Sequence, residues 1–216
     1  MTAILQQTQK VTISPPNLVV AEFEIVGSAP YVQNAFDPKA QEQMAAKQAK
    51  GDTGAKRTKG NRAPKDFDAC CRGATHWFPD GTPGIPATAF RGAMISACRL
   101  IGFKMTIAKM AVFILQDGYS ADGRTPLIRI QGDYERFDAY VRNDTGVPDI
   151  RARNMWKSWS AKVRVRYDAD QFKLVDISNL MMRAGIQVGV GEGRPDSKKS
   201  LTGMGWGTFE LKQGDQ

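Results

Sequence analysis

Six glycines fall at alternate positions near the C-terminal end of the sequence, Gly189, Gly191 and Gly193, then Gly203, Gly205 and Gly207, within RAGIQVGVGEGRPDSKKSLTGMGWGTFEL (183–211). Glycine in every second place clears side chains from the backbone and opens torsions that other residues avoid. No helix runs through such a stretch, and something must approach its backbone closely. Arg194, Lys198 and Lys199 lie between the two glycine sets. Three occupants fit: a nucleotide phosphate, the chain itself in a tight packing turn, or a nucleic-acid backbone resting on the loop. A Walker loop needs G-x-x-x-x-G-K-[ST] between a strand and the helix it begins, and a dinucleotide fingerprint needs an acid about 20 residues beyond its glycines. Here the glycines follow a helical pattern and only a short strand pattern comes after them, so both nucleotide readings fail. The packing turn and the nucleic-acid platform remain.

Charge bears on that choice. The formal net charge is +8 over 216 residues, which favours a polyanionic partner. At 42% hydrophobic residues the chain has material for one core, so a single domain is expected. No apolar run is long enough to span a bilayer, and MTAILQQTQKVTISPP has no signal-peptide pattern. A cytoplasmic protein without a membrane partner is therefore expected. Cys70, Cys71 and Cys98 form no C-x-x-C pair. A zinc site on Cys70, Cys71 and His76 would need two adjacent cysteines on one tetrahedral ion and lacks a fourth ligand at suitable spacing, so neither metal nor cofactor is expected.

Two segments concentrate the basic charge. From Lys39 to Lys65 there are eight Lys or Arg, among them Lys56, Arg57, Lys59, Arg62 and Lys65, against Glu42 and Asp52. Met44 is the only aliphatic side chain there larger than alanine, so the segment reads as a mobile basic insertion, helical from Pro38 to Lys50. Residues 151–167, RARNMWKSWSAKVRVRY, carry Arg151, Arg153, Lys157, Lys162, Arg164 and Arg166 with no acid. From Ser160 the pattern alternates, Lys162, Arg164 and Arg166 against Ala161, Val163, Val165 and Tyr167, which is a half-buried strand with a row of cations on one face. Trp156 and Trp159 precede it. Indole faces beside cations suit bases and phosphates together. As core anchors entering the strand they would have no ligand role.

The remaining pattern gives an element order. NLVVAEFEIVGSAPYV begins as a strand and stops at Gly27 and Pro30. GIPATAFRGAMISACRLIGF has Thr88 as N-cap and one apolar helix face, ending at Gly102. IAKMAVFILQD (107–117) reads as a central strand, and 118–154 as irregular. DISNLMMRAGIQVGVG offers Asp176 or Ser178 as the cap of a second amphipathic helix, and WGTFEL closes as a strand. Strand, helix, strand, strand, helix, strand is the α+β ferredoxin-like (RRM-like) βαββαβ order, with long insertions after the first and second strands at about 33–87 and 118–154.

Three of these stretches carry a resemblance to a known family. FEIVGSAPYV looks like the first strand and apolar turn of the RAMP superfamily, the repeat-associated RNA-binding proteins of CRISPR systems. IPATAFRGAMISACR is similar to that family's first-helix motif, with Ala87, Thr88 and Ala89 standing where it has a serine pair. GVGEGRPDSKKSLTGMGWGTFEL resembles its glycine-rich loop. The likeness is strongest to the backbone subunits of effector complexes, including stand-alone or phage-encoded relatives. It implies a non-catalytic protein that coats single-stranded nucleic acid, RNA favoured over DNA, as repeated copies, with other effector-complex subunits as further partners. By matching position it implies that Arg91 contacts the ligand backbone. Gly203, Gly205 and Trp206 in the loop, with Arg194, Lys198 and Lys199, complete the candidate interface. Some members of the superfamily process RNA with a histidine, which makes His76 the candidate in an endoribonuclease alternative. A phage single-stranded DNA-binding protein or a purely structural protein is the other alternative, because phosphate contacts and stacking suit both nucleic acids.

Overall fold

The computed structural model describes residues 13–49, 51, 64–142, 146–197 and 203–212. In chain order its elements are β1 (Leu18–Gly27), β2 (Tyr31–Val32), α1 (Pro38–Ala49), α2 (Phe67–Gly73), β3 (Gly84–Pro86), α3 (Ala87–Ala97), α4 (Met105–Ala111), β4 (Val112–Leu115), β5 (Gly118–Tyr119), β6 (Pro126–Gln131), β7 (Glu135–Arg142), β8 (Pro148–Trp156), β9 (Ser160–Asp168), α5 (Leu174–Arg183) and β10 (Phe209–Leu211). The fold is mixed α+β, and every strand pair described is antiparallel.

The main sheet is built around β9. One edge of β9 pairs with β1 in unbroken register from Leu18↔Asp168 to Val26↔Ser160. Its other edge is shared: β4 takes the end at Arg164–Tyr167 and β6 the end at Ser160 and Ala161. Beyond β1 lies β10, so four strands run in the order β10-β1-β9-β4. A separate sheet, β2-β8-β7, stands beside them.

The alternation in β9 has the expected consequence. Ala161, Val163, Val165 and Tyr167 are buried, and with Ile25 and Val112 they meet Phe90, Met94 and Ala97 of α3 and Ile177, Leu180 and Met181 of α5. Burying this many full-sized apolar side chains, each worth about 1.5–3 kcal/mol, holds the two helices on one face of the sheet. α3 continues as a tight 3-10 turn, Cys98–Ile101, and ends at Gly102 with φ 67°. After α5 the chain widens into a π-helical turn, Ala184–Val188, that delivers the first glycine, Gly189.

Several boundaries differ from the sequence reading. α3 begins at Ala87 with Pro86 in the cap position, so Thr88 lies in the first turn and caps nothing. Residues 107–117 split: α4 occupies their first half and β4 the second, because Ile107, Ala108 and Ala111 fit a helix face as well as a strand. The stretch 118–154 holds β5, β6, β7 and most of β8, whose polar outward residues conceal regular hairpins. α5 begins at Leu174, and Asp176 works from inside the first turn, accepting from the Lys173 backbone N–H at 2.9 Å. Helix α1 ends at Ala49, close to the expected boundary, and buries none of its residues. No helix among the described residues is long and apolar enough to cross a membrane.

Candidate nucleic-acid interface

All six alternating glycines have φ between 63° and 82°, the left-handed region. Gly207 shows why one of them is needed. A Cβ there would sit 1.7 Å from the Val190 carbonyl oxygen, where Val190 N–H donates to Gly207 O at 2.9 Å and Gly207 N–H donates to Pro30 O at 2.7 Å. Gly191 is pressed in the same way, its absent Cβ 2.6 Å from both the Tyr31 ring and Val32 O. At Gly193 the neighbour is Trp206, at Gly203 it is Arg194 O, and at Gly189 it is Pro195. What approaches this backbone is the protein itself, except at Gly205, where a Cβ would meet nothing within 4 Å. Bulk at Gly203 would therefore disturb the fold, since a Cβ there lies 2.7 Å from a backbone oxygen.

A groove of about 370 Å³ opens between this loop and one side of α3, running from the first turn of the helix to the 3-10 turn that follows it. Thr88, Ala89, Gly92, Ser96 and Arg99 line it from the helix side, and Val188–Gly191, Arg194 and Asp196 from the loop. No side chain caps α3, because Pro86 has no acceptor to offer. The first-turn amides of α3 therefore have no side-chain acceptor of their own. The Gly191 amide has no hydrogen-bond acceptor among the described residues, while Arg194 spends one Nη1 donor on Gly191 O at 3.0 Å. Across the groove, Asp196 Oδ2 accepts from Arg99 Nη2 at 2.7 Å and from the Ser96 hydroxyl. The Ser96 bond, then Arg99, hold the Asp196 carboxyl below its ordinary range. A loop amide and an arginine on one concave surface suit an anion.

The sheet face is a different surface from the one expected. Register places Glu22 opposite Arg164 and Glu24 opposite Lys162. Lys162 lies 3.8 Å from Glu22 and 3.7 Å from Glu24, and Arg164 bonds Asp117 at 3.1 Å, so the row of cations is matched by carboxylates. Arg166 stacks over Phe113 at 5.4 Å and has no carboxylate within ion-pair range among the described residues. Trp156 is 0% and Trp159 2% exposed, which removes both indole faces from any base. Trp159 lies across Gly27, donates its Nε1–H to Ala29 O at 2.9 Å, and packs on Tyr31 and Phe209. They are core anchors, and the stacking role is corrected.

Other expected contacts are also committed internally. Arg153 is buried against Glu192 at 3.0 Å, Lys157 pairs with Glu135, and Lys65 and Arg151 both pair with Asp149. Arg91 turns its guanidinium to Val112 O and Lys109 O at the end of α4 and stacks on Phe113. Trp206 is half-buried and meets the Phe137 ring edge-on. Lys56, Arg57, Lys59, Arg62, Lys198 and Lys199 lie outside the described residues.

His76 is half-buried, its backbone N–H donating to Gln33 Oε1 at 2.7 Å. Burial pushes its pKa down, with Asp122 opposing. Ser96, Arg99 and Asp196 were not legible as site residues: Ser96 and Arg99 show only an i, i+3 spacing, and Asp196 meets them from 97 or more positions away.

No protein-family model matches the chain. No curated protein matches it either. Among solved structures, a chain of the cryo-EM structure of the Type III-B Cmr-beta bound to cognate target RNA is similar over 91% of this chain, at 9% identity and a TM-score of 0.40. The match covers 60% of that chain's length.

Proposed function

We propose that this chain is a RAMP-type, non-catalytic binder of single-stranded nucleic acid, RNA favoured, that places copies side by side along the strand. The groove between α3 and the glycine loop is its contact surface. One observation carries the reading: the first turn of α3, which no side chain caps, the Gly191 amide, without an acceptor among the described residues, and Arg194 share that groove. The order β10-β1-β9-β4, antiparallel throughout with α3 and α5 on one face, supports a ferredoxin-like core. The segments 33–87 and 118–154 are then insertions that reach neighbouring copies.

Fluorescence anisotropy of a labelled 20-nucleotide oligouridine between 50 and 300 mM salt, values chosen for the assay on the order of those that expose counterion release, tests this. Affinity should fall steeply with salt. Arg194→Ala should weaken binding about tenfold, the scale of one charge-assisted hydrogen bond, and make the salt slope shallower by roughly one unit or less. On oligonucleotides of increasing length, bound mass should rise in steps of one protomer. No binding at low salt, or an Arg194→Ala variant with the parent's affinity and slope, would remove the proposal.

A further inference from the structure

Every other polar group identified in the groove can donate or is neutral, but Asp196 is an ionised carboxylate that can only accept. A site for phosphate alone gains nothing from it, because like charges repel. Its two oxygens differ. Oδ2 is held by Arg99 and Ser96, which fixes the plane of the carboxylate, whereas Oδ1 has no hydrogen-bond partner among the described residues. Ser96 gives its proton to Asp196, and its oxygen accepts from Arg99, so it is committed to holding that geometry. The groove thus has donors for an acceptor-only group, Arg194 among them near Asp196, and one oriented acceptor awaiting a donor.

A nucleic-acid strand offers that combination in one form. Phosphate oxygens accept; the ribose 2′-hydroxyl, on the same backbone unit, donates. Deoxyribose has no such donor, and its binding would draw water from Oδ1 with nothing in return. We propose that Asp196 makes the groove select ribose over deoxyribose by accepting a hydrogen bond at Oδ1 from a 2′-hydroxyl. This rests on the nucleic-acid reading given above and deepens it. Asp196 is a specificity determinant, and Ser96 and Arg99 are its positioning residues. With the Asp196 side chain 37% exposed, water partly compensates a missing donor, so the expected preference is about tenfold and not the far larger factors of fully enclosed sites.

The test uses the full chain and three labelled 20-nucleotide probes that share the uracil base: oligouridine, its 2′-deoxy form and its 2′-O-methyl form, a length chosen as roughly that of a strand bound through many phosphates. The parent should bind the ribose probe about tenfold more tightly than either of the others, since the methyl ether keeps an oxygen but loses the donor. In Asp196→Asn the amide oxygen takes over the bonds from Arg99 and Ser96 and turns an NH2 donor toward the groove. The ribose preference should then fall to near one, and deoxy affinity should rise as the repelling charge disappears. A thermal melt confirms that the variant is folded; if it is not, the 2′-O-methyl comparison on the parent decides alone. Equal parent affinity for ribose and deoxyribose, ribose-like binding of the 2′-O-methyl probe, or an unchanged ratio in a folded Asp196→Asn overturns the inference and leaves the binding reading standing. Failure of the parent to bind any of the three overturns both.

Discussion

Gly207→Ala and Gly205→Ala differ by two positions in the same loop and share a left-handed torsion, φ 67° and 72°. The torsion alone costs each variant roughly 1–2 kcal/mol. At Gly205 nothing is added, because no atom lies within 4 Å of the new methyl. At Gly207 the methyl would fall 1.7 Å from Val190 O, and only a backbone shift relieves that. The shift breaks the bonds from Val190 N–H to Gly207 O and from Gly207 N–H to Pro30 O. Each contributes about 0.5–1.5 kcal/mol, and groups left buried without partners cost about 1–3 kcal/mol apiece. Adding two groups left without partners to the torsion, Gly207→Ala should lose about 3–8 kcal/mol in all, against about 1–2 for Gly205→Ala. Since a domain holds only about 5–15 kcal/mol, the first variant should be close to unfolding and the second scarcely disturbed. Urea denaturation followed by circular dichroism measures both. Equal midpoints would refute the view that the glycines are there to let the chain pack on itself.

The two buried tryptophans should separate by their indole nitrogens. Trp159→Phe loses a donor to Ala29 O, whereas Trp156→Phe removes a buried N–H that has no acceptor among the described residues, so the former should cost more stability by about 1–3 kcal/mol in urea titrations. Oligouridine affinity should stay within about twofold of the parent in both, and a tenfold loss in either would put that ring on the ligand. Lys162→Ala and Arg164→Ala, whose charges already face Glu22, Glu24 and Asp117, should likewise change oligouridine affinity by about twofold or less in the anisotropy assay. For His76 the folded pKa lies below the ordinary 6.5, so the unfolded chain takes up its proton first as pH falls. Its contribution is complete above pH 6.5 and is lost as pH drops from there through the lowered folded value, and His76→Gln should flatten the urea midpoint over that window.

What the sequence made legible follows locality. Alternation in Ser160–Tyr167 reports which face is buried because each residue's neighbours two places away share its environment, and the structure buries that face. The charge on the opposite face was misread for the complementary reason. Glu22 and Glu24 neutralise Lys162 from a strand more than a hundred positions earlier, and no local pattern reveals a register. Trp156 and Trp159 stood in a basic context that suited two roles, and only the packing of Tyr31 and Phe209 around them decides between those roles. The alternating glycines marked a close approach correctly, but the partner was assigned to a ligand when at most positions it is the chain. The groove itself was out of reach, since Asp196 joins Ser96 and Arg99 only through the tertiary fold.

The pairing of β1 with β9 also sets a timetable for synthesis. β1 leaves the ribosome long before the strand that pairs along it, which begins at Ser160. At ~5–20 residues per second the roughly 130 residues between Gly27 and Ser160 take about 7–26 s to emerge. Throughout that interval the apolar side chains of LVVAEFEIVG have no native strand beside them, and the β7–β8 hairpin, with its short turn, can close first. The central sheet is therefore assembled late, around a strand that has waited for its partner, and slowing translation just before Ser160 would lengthen its exposure to aggregation more than the same delay placed after Asp168.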